Sequence, residues 1–280
     1  MKYNFKIADI TRDNATVFVQ ELHYSKIMPK LTKHYLGCFL SGELVGVLTL
    51  GWGTQPKATI SKLFNGLDTG DYYEIGKMCM TEEMPRNSES QMLAAVIDWM
   101  KYNLPEKKYL YTWADGIMGK PGYVYQAANF LYGGFIWTQI YISPDGEKIH
   151  PRSSRRLCDE NVQFKLEREP DFFVGKKGER IYWLTQDFLD HKGISKIFGK
   201  QFRYIYPLNK AARKMLKKSN VEWVINGPKD CDLVWDKATK DGRLRLPKMP
   251  YVDGDVTDYN TKNVNAHKNS SSRGSLEAFI

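Results

Sequence analysis

The stretch Tyr73-Glu-Ile-Gly-Lys-Met-Cys-Met-Thr-Glu-Glu-Met-Pro-Arg-Asn-Ser-Glu-Ser90 constrains the fold most, because an extended segment runs directly into a helix without a glycine-rich turn. Ser88 and Gln91 have the spacing of a capping box, and Leu93, Val96, Ile97 and Met100 recur at the period of a helix buried along one side. The pattern predicts a helix over 89–102, ended by Asn103-Leu104-Pro105. Its unsatisfied N–H groups, with Arg86 and Asn87 just before them, make an expected anion cradle at the positive end of the helix dipole. An ordinary capped helix on a loop is the alternative.

Around this stretch the elements follow in order. Residues 5–10 read as a strand, and Thr11 caps a helix carrying Ala15, Phe18, Val19 and Leu22. After a polar loop over 23–29, the β-rich runs 35–40 and 44–50 are joined by Ser41-Gly42-Glu43, and 73–80 is the third strand of that meander. A short strand over 109–113 ends in Ala114-Asp115-Gly116, which places Asp115 at its carboxyl end. Pro121 opens a helix over 122–132 closed by Gly133-Gly134, and 135–142 with 148–151 form a hairpin about Ser143-Pro-Asp-Gly146. This order predicts an α/β (or α+β) fold, a central sheet flanked by helices, as a domain over residues 1–152.

Beyond it, 181–185 and 202–207 read as strands and 210–218 as a basic helix. Between His191 and Val221 there are nine Lys or Arg and no acidic residue, within a chain of formal charge +9. Lys200, Arg203, Lys210, Arg213, Lys214, Lys217 and Lys218 are interleaved with Phe202, Tyr204 and Tyr206, which suits phosphate contacts with base stacking. A solvated helix face beside core aromatics is the alternative. Residues 153–250 are thus expected to form a basic extension packed on the first domain, and 251–280 a flexible tail. The four cysteines are scattered without a paired spacing, which fits free thiols in a reducing compartment. No apolar run approaches the roughly 18–20 residues of a membrane span, and no signal-peptide pattern opens the chain, so a cytoplasmic protein without membrane contact is expected.

The blocks His23-Tyr-Ser-Lys26, Glu74-Ile-Gly-Lys77, Pro85-Arg-Asn-Ser-Glu-Ser90, Ala114-Asp115 and Gly122-Tyr-Val-Tyr-Gln-Ala-Ala-Asn-Phe130, with Tyr132 and Gly134, resemble the Mom family of bacteriophage DNA-modification proteins. The likeness covers about residues 15–155 and extends to Arg203-Tyr204. It implies a fold similar to GCN5-related N-acetyltransferases and the conversion of adenine in duplex DNA to an N6-acetamido form that blocks restriction, in the cytoplasm of an infected bacterium. It implies activity-linked roles for Ser90, Asp115 and Tyr125, with Lys77 where the family pattern has Arg and Lys120 where it usually has His. By analogy of fold, acetyl-coenzyme A or a related acyl donor would lie against Cys79, Met80, Arg86, Asn87 and Ser88. Double-stranded DNA would meet His23, Tyr24, Ser25, Lys26, Lys120, His150 and Arg152 as well as the basic segment.

The chemistry has its own logic. An exocyclic aromatic amine is a weak nucleophile, so transfer to it needs oriented reactants and a stabilised developing charge. Asp115 is suited to accept or orient the amine proton, Tyr125 to protonate a leaving thiolate, and Ser90 to bond the donor or the reacting carbonyl. Each has a plainer counterpart: a turn residue, a core aromatic, a helix-start residue. The resemblance leaves an iron ion open, although His23, His34 and His150 share no compact metal-site spacing, and a homodimer stays open as well. The readings that compete with a DNA-modifying transferase are an N-acyltransferase acting on a small molecule or protein, and a non-catalytic nucleic-acid-binding protein on the same fold.

Overall fold

A computed structural model describes residues 2–53, 56–64, 67–149, 155–170, 184–250 and 256–257. Its order is β1 (Lys6–Asp9), α1 (Arg12–Leu22), β2 (Thr32–Leu40), β3 (Glu43–Gly51), α2 (Pro56–Leu63), β4 (Tyr72–Met80), α3 (Ser88–Asn103), β5 (Tyr109–Ala114) and α4 (Tyr123–Ala127). There follow β6 (Leu131–Ile142), β7 (Lys148–Ile149), α5 (Arg155–Arg168), α6 (Gln186–Lys192), β8 (Ser195–Pro207), α7 (Lys210–Met215), β9 (Trp235–Thr239), β10 (Gly242–Leu246) and β11 (Val256–Thr257). All eleven strands join one mixed sheet in the spatial order β1-β2-β3-β4-β5-β8-β6-β7-β11, with β9 on β8 and β10 on β9. No helix among the described residues is long and apolar enough to cross a membrane.

Residues 202–207 do form a strand, but it is longer than its pattern suggests and lies inside the sheet. β8 pairs along its length with β5 on one side and β6 on the other, so the sheet of the first 152 residues takes an interior strand from beyond them. The reason is apolarity on both faces: Phe202 and Tyr204 pack against α3 and α4, while Ile205 packs against α2 and α7. Phe202 and Tyr204 are therefore core aromatics, with no face free for a base.

Two local expectations are corrected. Ser88 does not cap α3: its hydroxyl is buried and donates to the Pro85 carbonyl at 2.6 Å, Asn87 ahead of it takes a left-handed φ of 72°, and the Gln91 side chain accepts instead from the Tyr3 N–H at 2.8 Å. The helix expected over 122–132 stops after one turn. Asn129, at φ 62°, ends it with Phe130 N–H donating to the Tyr125 carbonyl at 3.0 Å, a Schellman closure. Gly133-Gly134 then forms a bulge within β6, where a Cβ at 133 would lie 2.2 Å from the Trp223 ring. The hairpin about residues 143–146 is present as β6 and β7.

Candidate active site

β4 and β5 run parallel because the α3 crossover joins them, and they pair only through Tyr72–Tyr109, Tyr73–Leu110 and Glu74–Tyr111. Beyond that level β4 continues along β3 and β5 along β8, so the two strands part. A cleft of about 1240 Å³ opens there, walled by the loop after α1, the start of α3, and the segment from Trp113 through α4.

Asp115 projects from the end of β5 into this cleft, and both its carboxylate oxygens are held. The Tyr24 hydroxyl donates to Oδ2, and the Gln201 amide donates to Oδ1 at 2.5 Å. Tyr24 is itself fixed between the His23 ring, stacked at 4.3 Å, and the Lys120 ammonium, 5.2 Å from its centroid. Lys77, nearly buried on β4, donates from Nζ to the Ser25 carbonyl at 2.7 Å and so ties this loop to the sheet. Burial, and next the Lys77 charge, push the His23 imidazole down to about 3, so it is neutral at ordinary pH, with Nδ1 accepting from the Ser25 N–H at 2.9 Å. His23, Tyr24, Ser25, Lys77, Lys120 and Asp115 thus meet, although they come from three separate parts of the chain.

Tyr125 completes this group from α4. Its ring packs on Phe130 and Tyr204, and burial followed by the fields of Asp115 and Glu74 pushes the phenol up to about 12, which keeps it protonated. Glu74 is the residue that sequence reasoning missed as a functional group. It lines the cleft where the β4–β5 pairing stops, makes no hydrogen bond or ion pair to any described residue, and backs onto Gly53, where a Cβ would lie 2.6 Å from Oε2. Burial pushes its carboxyl up to about 7. The available signal was one acid inside the apolar run Tyr72-Tyr-Glu-Ile75.

Cys79, Met80, Arg86, Asn87 and Ser90 also line the cleft, with the first turn of α3, while Ser88 is turned away into the core. Ser90 donates to the Asn87 carbonyl at 2.9 Å, and burial raises the Cys79 thiol to about 12, so it is not a thiolate. The polar start of α3 with Arg86 suits an anionic group, which is the fit an acyl-coenzyme A phosphate would need.

The remaining candidates lie elsewhere. Arg203 is engaged in the sheet, donating to the Gly133 carbonyl at 2.9 Å with its guanidinium 5.2 Å over Trp113. Lys210, Arg213, Lys214 and Lys217 are exposed on and just after α7, beyond the amino end of β5 and away from Asp115. Lys26 does not line the cleft. His150 and Arg152 lie outside the described residues, as do 181–183 of the strand expected over 181–185 and nearly all of 251–280, whereas Leu184 and Thr185 are not in a strand. Among the described residues no group of three or more His, Cys, Asp or Glu is gathered for a metal ion.

A family model described as the Mom protein family matches residues 4–223. A protein of Escherichia phage Mu named methylcarbamoylase mom is 30% identical over 202 residues, covering 72% of this chain and 75% of its own length. Among solved structures, the chain is similar to the aminoglycoside acetyltransferase AAC(6')-Ib in complex with coenzyme A, at 11% identity and a TM-score of 0.35 over 48% of this chain and 87% of the other. It is also similar to an N-acetyltransferase from Staphylococcus aureus Mu50, at 11% identity and a TM-score of 0.35 over 73% of this chain and 97% of the other.

Proposed function

The chain belongs to the Mom protein family, and from that premise we propose that it is a transferase that modifies bases of duplex DNA, placing an acyl- or acetamido-type group on an exocyclic amine, adenine N6 foremost. The observation that carries this reading is that Asp115, Glu74 and Tyr125 line one cleft together with the polar start of α3. An acyl-coenzyme A bound along Cys79, Met80, Arg86, Asn87 and Ser90 would supply an activated carbonyl carbon.

The chain's own residues divide the remaining work by environment. Asp115, locked by Tyr24 and Gln201, stays a fixed acceptor that orients an amine N–H. Glu74 has no partner among the described residues and burial raises it to about 7, so it is the group to take the proton the amine gives up as its new N–C bond forms. Tyr125, kept protonated, is the donor to the departing group as its bond to the carbonyl carbon breaks. Two groups with raised affinities of opposite use then face one reaction centre, the arrangement by which environment assigns acid and base roles.

The test is nucleoside mass spectrometry of plasmid DNA from cells expressing the chain. A new, heavier purine nucleoside, with adenosine depleted to match, is the expected result. Unmodified plasmid from cells holding soluble protein would overturn the reading.

A further inference from the structure

On one side of the sheet, α3 and α4 cover Phe202 and Tyr204, and further along α5 and α6 cover Tyr141. Between these helical layers no helix of the described residues lies on the sheet, and its face is aromatic and cationic. Residues alternate sides along a strand, so Phe135 and Trp137 of β6 share this face with Lys196, Phe198 and Lys200 of β8. Phe135 and Trp137 are 41% and 44% exposed and meet edge to face at 6.0 Å. Lys200 lies 4.6 Å over Phe135, and Arg243 of β10 lies 3.7 Å over Phe198 and 5.5 Å over Trp137.

The charges here are gathered without relief. Lys196, Lys200 and Arg243 form no salt bridge among the described residues, and Asp236 on the neighbouring strand is taken up by Arg245. Burial and then the Arg243 charge disfavour the protonated form of Lys196. A surface that exposes large rings and crowds like charges is costly alone, and both costs fall against a polyanion that also offers flat faces.

The patch is continuous with the cleft. Lys200 donates to the Asp232 carbonyl at 3.3 Å, and the Asp230 N–H donates at 3.2 Å to the hydroxyl of Tyr123. Tyr123 and Asp230 line the cleft, so the segment 230–232 joins it to Lys200. α7 is set apart: Pro207 lies seven positions along β8 from Lys200, about 23 Å at the rise of a strand.

Resting on the reading of this chain as a DNA-modifying transferase, we propose that the open face of β6, β8 and β10 is where the DNA lies beside the cleft. Bases or sugars of the strand opened around the extruded nucleotide stack on Phe135 and Trp137, while Lys196, Lys200 and Arg243 take its phosphates.

The test measures binding of a labelled duplex with one mismatched base pair by fluorescence anisotropy across a salt series. Phe135→Ala with Trp137→Ala should weaken affinity about tenfold and leave the salt slope unchanged, since stacking releases no counterions. Lys200→Ala with Arg243→Ala should flatten the slope by about two units. Trp137→Tyr, which keeps a ring, should bind like the parent and shows that loss in the alanine variant comes from the missing ring and not from misfolding. If the parent binds and both double variants match it in affinity and slope, this surface is refuted while the functional reading stands. If the parent binds no DNA at any salt, that reading falls and takes this surface with it. A dimer that dissociates in the Trp137 variant, with DNA affinity unchanged, would give the face to a second copy of the chain and overturn the proposal.

Discussion

At the amino end of β5, Lys108 pairs with Asp71 at 2.9 Å, Lys107 donates to the Gly70 carbonyl at 2.7 Å, and the Tyr109 hydroxyl donates to the Ala212 carbonyl at 2.7 Å. At the carboxyl end, Asp115 is gripped by Tyr24 and Gln201 yet keeps lone pairs facing a cleft, and Glu74, level with Tyr111, is paired with no described residue. Lysines, tyrosines and carboxylates serve both ends. At the first the fold consumes their bonding capacity; at the second it fixes their positions and leaves capacity over. The difference follows from the sheet, because β4 and β5 stay paired at one end and part at the other.

The comparison predicts unequal consequences for similar substitutions. Asp115→Asn keeps the size and one acceptor but loses the charge, and should lower DNA modification by about 10²–10⁴-fold with thermal unfolding unchanged. Quantifying modified nucleoside alongside a melting curve checks this, and a variant that unfolds while its folded fraction stays active would reduce Asp115 to a turn residue.

Glu74→Gln should lower modification by about 10²-fold and remove a rise in rate with pH centred near 7. Its effect on stability has the opposite sign. A carboxyl raised from 4.5 to about 7 binds more protons folded than unfolded between those values, so folding free energy is lost as pH rises through that window and stays lost above it. The Gln variant should therefore gain up to about 3 kcal/mol at pH 8 and nothing at pH 4, as read from denaturant curves. His23 works the other way. Its depressed value means that the unfolded state binds the extra proton, so stability falls as pH drops below 6.5 towards about 3.

At the consumed end, Tyr109→Phe leaves the Ala212 carbonyl without its donor and should cost about 1–2 kcal/mol of stability while leaving modification by the folded protein unchanged. A selective loss of activity there would erase the contrast. The smallest catalytic effect belongs to α7. Replacing Lys210, Arg213, Lys214 and Lys217 by Ala should flatten the salt dependence of DNA binding by less than the roughly two units expected of Lys200 and Arg243, with turnover at saturating DNA unchanged.

Much of this was readable in the chain. Thr11 with the apolar positions of α1, the β2–β3 hairpin, the helical period from Leu93 to Met100 and the strand end at Asp115 are local patterns, and local patterns survive folding. The place of β8 is not legible, because choosing a partner strand is a long-range decision and the cations between 191 and 221 interrupt the apolar positions Ile197, Phe202, Tyr204 and Ile205. The end of α4 differs from its pattern because Asn129 takes the left-handed cap that Gly133-Gly134 offers in sequence. Glu74 stayed hidden for a physical reason: its character comes from strands that part beside it, and no spacing of residues records that event.

Nucleoside mass spectrometry on DNA from cells carrying the parent chain, Asp115→Asn or Tyr109→Phe tests the whole account most directly. A heavier adenosine derivative is expected with the parent and with Tyr109→Phe, and almost none with Asp115→Asn at equal soluble protein. Equal modification by all three, or none from the parent, would contradict it.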